Sequence, residues 1–121
     1  SKSYNNIIPL FGTDDEIKKA VMSIVTDSSG DVPVNVYAIH KLFKSESELE
    51  DLYEEKKGKY KDLKEALLAD ILKFVTPMRK RREEYANNPK LVAQILEQGA
   101  EKARAKANEK MKLVREKIGL N

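Results

Sequence analysis

The side chains with the clearest chemical potential in this sequence are cations, gathered in two clusters in its second half. One cluster is the Arg-Lys-Arg-Arg run at residues 79–82. Four consecutive positions cover all sides of a helix, so some of these side chains must serve packing or ion pairs. The other cluster lies near the carboxyl end: Lys102, Arg104, Lys106, Lys110, Lys112, Arg115 and Lys117. Three of its lysines recur at every fourth position, a spacing that can follow a phosphate backbone along one helix face.

The charge balance shows which half of the chain suits an anionic partner. Residues 1–58 contain 7 Lys and Arg against 11 Asp and Glu, a balance of −4, whereas residues 59–121 contain 16 against 9, a balance of +7. A nucleic acid would therefore bind the second half. The alternative is an ordinary solvated surface, with Glu109 and Glu116 among the cations. Side chains that could stack on bases are few, with Tyr60 and Tyr85 as candidates.

Catalytic side chains are almost absent. The sequence has no cysteine, which excludes disulfides and thiolate metal sites, and one histidine, His40. His40 falls between Val36 and Phe43 on the inward side of a short predicted helix, so we expect a residue at the edge of the core rather than a base or a ligand. No phosphate-binding glycine motif occurs, and no apolar run approaches the roughly 20 residues that span a bilayer. We expect no metal site and no membrane partner.

The elements that must position the cations are helices. Charged residues make up 36% of the chain and aromatic residues 7%, a mixture that favours helix in what we expect to be one domain. Capping boxes at Thr13 and Ser45 mark the starts of two helices. Asn88 marks the point where one helix ends and the next begins. Helical periodicity covers residues 13–25, 35–43, 45–57, 60–86, 89–99 and 100–118. We predict an all-α bundle of five or six helices, because Gly99 either breaks or bends the last stretch.

The long segment at residues 60–86 supplies the predicted centre of the bundle. Its apolar stripe consists of Leu63, Leu67, Ile71, Phe74, Val75 and Met78. We expect the end of this stripe to pack against the apolar side of the last segments: Leu91, Ile95, Ala103, Ala107 and Met111. Phe74 is thereby predicted to be a buried core residue.

Four segments, taken in order, resemble one family. The opening SKSYNNIIPLF resembles the end of the KMSKS loop of class I aminoacyl-tRNA synthetases, and VMSIVTDS (residues 21–28) resembles the segment after this loop in bacterial-type tryptophanyl-tRNA synthetases. KYKDLKEALLADILKFVTPMRKRREEY resembles their long helix with an internal proline, and GAEKARAKANEKMKLVREKIGL resembles their closing helix. The resemblance covers essentially all 121 residues, and the GAEKA and TDS segments favour the tryptophan enzyme over its tyrosyl relative.

The resemblance implies that the chain is a C-terminal fragment of such a synthetase. Residues 1–12 would be the remnant of the KMSKS catalytic loop with a linker, and residues 13–121 the helical anticodon-binding domain. The intact parent would activate tryptophan with ATP and Mg²⁺ and transfer it to tRNA(Trp). Lys2, flanked by Ser1 and Ser3, matches the second lysine of the motif, which acts on ATP and the leaving pyrophosphate. The motif's first lysine, the HIGH motif and the tryptophan pocket have no counterpart, so we expect this fragment alone to be inactive and to bind no cofactor.

The same resemblance implies the partners. They are tRNA(Trp) and the parent's catalytic domain, through which the parent would form a homodimer in the bacterial cytoplasm, with the mitochondrial matrix as the alternative location. Two other interpretations stay open at this point: the tyrosyl enzyme, and a helical protein-interaction module without an enzymatic role. The candidate contacts to tRNA are Arg79, Arg81, Arg82, Lys102, Arg104 and Lys106.

Overall fold

All the secondary-structure elements in the described part of the chain are helices. The structure, a computed structural model, describes residues 6–26 and 30–120, which contain no strand. The helices are α1 (Asp14–Met22), α2 (Val34–His40), α3 (Glu46–Glu55), α4 (Tyr60–Ala86) and α5 (Pro89–Lys117). The predicted all-α class is confirmed, with five helices among the described residues. The chain divides into two compact units, the first ending at Lys80 and the second beginning at Arg81.

Local capping chemistry sets where the helices begin. The Thr13 hydroxyl accepts from the Glu16 amide at 3.2 Å, and the Glu16 carboxylate accepts from the Thr13 amide at 2.7 Å. Ser45 and Glu48 form the capping box at the start of α3, where the Ser45 amide and hydroxyl both donate to the Glu48 carboxylate. The Asn88 side chain caps α5. Each of these bonds satisfies an amide that the first helical turn leaves without a partner, and the three predicted starts are confirmed.

α1 ends at Met22, three residues earlier than predicted. Side chains from other helices donate hydrogen bonds to the backbone carbonyls at and after this end. Lys64 Nζ on α4 donates to the carbonyl of Met22 at 2.9 Å and to that of Ile24 at 2.7 Å. The Asn35 amide on α2 donates to the carbonyl of Val25 at 2.9 Å. These bonds replace the helical partners that the carbonyls lack, and they tie the turn after α1 to α2 and α4.

The core of the first unit consists of two clusters of buried side chains. One cluster joins α1, α2 and α4: Ile17, Val21, Val36, Leu67, Ile71 and Val75. The other joins α3 to the start of α4 through Leu49, Tyr53 and Leu63. From Leu63 to Val75, every fourth residue of α4 is buried. The predicted stripe on α4 is therefore confirmed for these positions.

The predicted burial of the other stripe members is wrong. Phe74 is 48% exposed and Met78 is 41% exposed. A helix turns about 100° per residue, so Phe74 projects well to one side of its buried neighbour Val75. The expected partners on α5 are not in the core either, because α5 buries no residue and Ile95 and Met111 are both about half exposed. The buried stripe of α4 packs against α1 and α2 instead.

The last helix continues through Gly99 without a break, which decides the question that the sequence left open. Glycine inside a helix costs roughly 0.5–1 kcal/mol relative to alanine, and a Cβ at Gly99 would meet no atom within 4 Å. We therefore expect Gly99→Ala to raise the free energy of unfolding by about 0.5–1 kcal/mol, measured by urea denaturation followed by far-UV circular dichroism.

Gly58→Ala is the matched control for that substitution. A Cβ at Gly58 also meets no atom within 4 Å, but its φ of +74° lies in the left-handed region that strains an L residue. Gly58→Ala should therefore destabilise the chain. A Gly99→Ala variant that loses as much stability as Gly58→Ala would contradict a continuous α5.

Candidate nucleic-acid interface

Arg79, the first of the predicted RNA-binding cations, is engaged within the protein. Its Nε donates to the carbonyl of Leu10 at 3.3 Å, and its Nη1 pairs with the carboxylate of Asp14. The side chain is only 21% exposed. Arg79 thus ties α4 to the start of α1 and to the loop before it, which confirms that part of the run at residues 79–82 serves ion pairing. Its role in RNA binding stays a prediction.

The other candidate cations lie in the second unit and are all exposed. Arg82 makes a contact within the chain. The ion pairs among residues 6–26 and 30–120 all lie before Lys80, so Arg81 takes part in none of them. The same holds for the candidates on α5: Lys102, Arg104 and Lys106. Cations without carboxylate partners keep their donors for an external anion such as phosphate.

The continuity of α5 decides which of these cations share a surface. Lys102, Lys106 and Lys110 follow one another every four residues, so they lie on one face with steps of about 6 Å along the axis. Arg104 comes two residues after Lys102, and a helix turns about 200° over that interval, so it projects from nearly the opposite side. The structure therefore groups Lys102 with Lys106 and separates Arg104 from them.

The proposed catalytic Lys2, with Ser1 and Ser3, lies outside the described residues. Within the described ranges, no group of three or more His, Asp or Glu side chains is placed to hold a metal ion. A search of the same ranges for a helix long and apolar enough to cross a membrane finds none.

His40 is fully buried, deeper than the core edge where the sequence placed it, and both of its ring nitrogens are engaged. Nε2 lies 2.8 Å from Oδ2 of Asp70, and Nδ1 lies 3.2 Å from the Tyr53 hydroxyl. The Lys44 ammonium reaches the same Asp70 oxygen at 3.1 Å. This network joins α2, α3 and α4, so His40 is a structural residue, as expected. Tyr53 was predicted on the apolar side of the third helix, but its pairing with His40 and the role of Asp70 were not predicted, because these partners lie 13 and 30 positions from His40.

The environment of the network shifts the pKa values of two of its members, Asp70 and Tyr53. Burial by itself would raise the pKa of Asp70, but hydrogen bonds and charges from His40 and Lys44 outweigh it and hold that pKa below its ordinary value. Burial raises the pKa of the Tyr53 hydroxyl to about 12. Around neutral pH the network therefore contains a carboxylate and an un-ionised phenol.

Asp70 should make the stability of the fold depend on acid pH. Because its folded pKa is lowered, the carboxylate contributes stability above its unfolded pKa of about 3.9, and the contribution is lost as the pH falls through the folded value. Asp70→Asn removes the charge with little change of shape. The difference in free energy of unfolding between wild type and Asp70→Asn should therefore be largest near neutral pH and should shrink below roughly pH 4.

Urea denaturation from neutral pH into the acid range measures this difference. Asp62→Asn is the control, because the Asp62 carboxylate is more exposed and lies 3.7 Å from the Lys56 ammonium, so its loss should change stability little. A difference for Asp70→Asn that stays constant with pH would show that its charge contributes nothing.

Comparison with known proteins relates this chain to one enzyme. No protein-family model matches it. Over 99% of its length the chain is 38% identical to a tryptophan–tRNA ligase of Fusobacterium nucleatum, and it is also 38% identical to the tryptophan–tRNA ligase of Campylobacter jejuni. It covers 39% of the first protein and 40% of the second. The chain thus spans about two fifths of the length of the curated relatives it matches.

Solved structures agree with the sequence relatives. The crystal structure of tryptophanyl-tRNA synthetase from Campylobacter jejuni matches with a TM-score of 0.78 at 36% identity, covering 99% of this chain and 42% of that one. A structure of the same enzyme complexed with ADP and tryptophan gives a TM-score of 0.78 at 35% identity, covering 99% and 40%. These relatives give the tyrosyl alternative no support. Over almost its whole length this chain is therefore similar to tryptophan–tRNA ligases, and its 121 residues correspond to about two fifths of the relatives it matches.

Proposed function

We propose that this chain carries the tRNA-binding part of a tryptophan–tRNA ligase. Residues 13–121 form the helical domain that binds the anticodon arm of tRNA(Trp), and residues 1–12 correspond to the end of the catalytic KMSKS loop and a linker. The observation that carries the proposal is the similarity of 99% of the chain, in sequence and in fold, to tryptophan enzymes. The longer protein activates tryptophan with ATP and transfers it to tRNA(Trp).

The charge distribution of the second unit supports this assignment. The lysines on one face of α5 are exposed and take part in none of the ion pairs among the described residues. Contacts of this kind to phosphates supply the sequence-independent part of RNA affinity. Lys102 and Lys106 are the pair that we propose for the RNA backbone, while reading the anticodon requires side chains that meet bases.

The catalytic chemistry belongs to the longer protein. Lys2, flanked by Ser1 and Ser3, supplies a cation near the pyrophosphate leaving group, where a positive charge stabilises the developing negative charge. By the same similarity, ATP and Mg²⁺ are assigned to the longer protein. Its catalytic domain is the partner of this helical part, and we propose that the protein dimerises through that domain and acts in the cytoplasm.

A salt titration of binding to the anticodon stem-loop of tRNA(Trp) tests the proposal. Each phosphate contact contributes roughly 0.7–0.9 to the negative slope of log affinity against log salt. Replacing Lys102 and Lys106 with Ala should therefore flatten the slope by roughly 1.5 and weaken binding to all RNAs alike. The matched control replaces Lys18 and Lys19, which are exposed on α1, and changes the net charge by the same amount.

A stem-loop that binds no better than an unrelated hairpin would overturn the proposal. A Lys102→Ala/Lys106→Ala variant with the wild-type slope would overturn the assignment of these two lysines to the RNA backbone and would reduce the α5 cluster to a solvated helix face.

A further inference from the structure

A groove of about 510 Å³ in the first unit, which the candidate cations do not line, presents aromatic rings to solvent. Its apolar lining consists of Phe43, Phe74, Pro77 and Met78. The rings of Phe43 and Phe74 meet edge to face, with centroids 5.5 Å apart and planes at 75°. Phe74 is about half exposed and Met78 is 41% exposed, so much of this apolar surface faces solvent.

The aromatic pair is suited to stacking. Phe43 is partly buried and packs on the α1–α2–α4 core cluster, which anchors the pair in the fold. An edge-to-face contact covers at most one face of a ring, so the half-exposed Phe74 retains ring surface for a planar group. Unpaired nucleobases stack on aromatic side chains in this way, whatever the identity of the base.

The charged residues at the rim of the groove are two lysines, Lys44 and Lys73, and two carboxylates, Asp70 and Glu48. Asp70 contacts both His40 and Lys44, and the Glu48 carboxylate accepts hydrogen bonds from Ser45 in the α3 capping box. Lys73 is exposed at the rim and takes part in none of the ion pairs among the described residues. Its ammonium is therefore available for an external phosphate.

A second exposed cation lies along the same side of α4. Lys80 follows Lys73 by seven residues, or about 10 Å along the helix axis, and it too makes no ion pair within the described residues. An RNA nucleotide joins a planar base to a phosphate, so rings flanked by two cations match both of its parts. An apolar peptide would match the rings alone.

We propose that this aromatic groove takes an unpaired nucleobase of an RNA loop, stacked on Phe74, with Lys73 and Lys80 near the adjoining phosphates. The inference rests on the proposed function, because it gives the domain that binds the anticodon arm a place for one base of the loop. It also gives a reason for an exposed phenylalanine at a position where periodicity predicted core.

The test uses the 121-residue chain and an anticodon stem-loop that carries a fluorescent adenine analogue in its loop. Phe74→Leu keeps an apolar side chain without the ring, and it should lower affinity roughly 5- to 150-fold and remove the fluorescence quenching caused by stacking. Phe74→Tyr keeps the ring and should retain both signals. Lys73→Ala should flatten the salt slope by roughly 0.7–0.9. Leu42→Ala removes an exposed apolar side chain of the first unit that does not line the groove and should change nothing.

The outcomes separate this inference from the proposed function. If wild type prefers the stem-loop over an unrelated hairpin and Phe74→Leu binds equally well, the groove is not the base site, while the proposed function stands. If wild type shows no preference, the proposed function fails and this inference fails with it. If Phe74→Leu keeps its RNA affinity and loses self-association in sedimentation, the groove is a contact between copies of the chain, which also overturns the inference.

Discussion

Leu67→Ala should destabilise the chain by about 2–5 kcal/mol, the range for removing a large aliphatic side chain from a packed core. Leu67 is fully buried in the cluster that joins α1, α2 and α4, with Ile17 and Ile71 among its members. The loss has two parts, the transfer of the missing methyl groups and the cavity left between three helices. Urea denaturation followed by circular dichroism measures it as a drop in the midpoint at unchanged slope.

Phe74→Ala is the informative comparison for Leu67→Ala. Phe74 lies on the same helix but is half exposed, and its main contact is the edge-to-face pair with Phe43. Such pairs contribute roughly 0.5–1.5 kcal/mol, so we expect a loss of about 1 kcal/mol, well below the cost of a buried phenylalanine. Equal losses in the free energy of unfolding for Leu67→Ala and Phe74→Ala would show that Phe74 is a core residue. That result would remove the basis for the aromatic groove.

His40→Ala should cost about 2–4 kcal/mol of stability. The substitution removes the bonds to Asp70 and to Tyr53, and it leaves the buried Tyr53 hydroxyl without that partner in a cavity between α2 and α3. A buried polar group that loses its partner costs about 1–3 kcal/mol, and the missing ring adds a packing loss. Thermal and urea unfolding should both report the change.

Lys44→Ala provides the control for the same network. Lys44 contacts the same Asp70 oxygen, but its side chain is 36% exposed. Exposed ion pairs contribute about 0–1 kcal/mol, so Lys44→Ala should change stability by less than about 1 kcal/mol. If it cost as much as His40→Ala, the charge on Asp70, and not the buried hydrogen bonds of His40, would be the main contribution of the network.

The similarity to tryptophan–tRNA ligases could be found from the sequence because it rests on ordered segments along the whole chain. The resemblance of VMSIVTDS and GAEKA to tryptophan enzymes agrees with relatives that are 38% identical over 99% of the chain. The helical spacing of His40 with apolar neighbours predicted a residue at the edge of the core, and the structure buries it fully. The residues that contact tRNA stay predictions, since charge and spacing alone do not separate a phosphate contact from a solvated lysine.

The sequence by itself determined where three of the helices begin, because helix starts and periodicity depend on residues three or four positions apart. Thr13, Ser45 and Asn88 each supply a side-chain oxygen next to the first turn, and the structure begins a helix after each. The buried stripe of α4 likewise repeats every four residues and was readable from its pattern of apolar side chains.

The tertiary structure alone decided which side chains beside the buried stripe of α4 are themselves buried. It also decided which charged side chains form pairs within the protein. Phe74 is next to a buried residue, and a rotation of about 100° is enough to place it in solvent. Arg79 reaches Asp14 across 65 positions, and His40 reaches Asp70 across 30. Such pairs follow from how whole helices pack, and local spacing carries no information about contacts between residues so far apart in the chain.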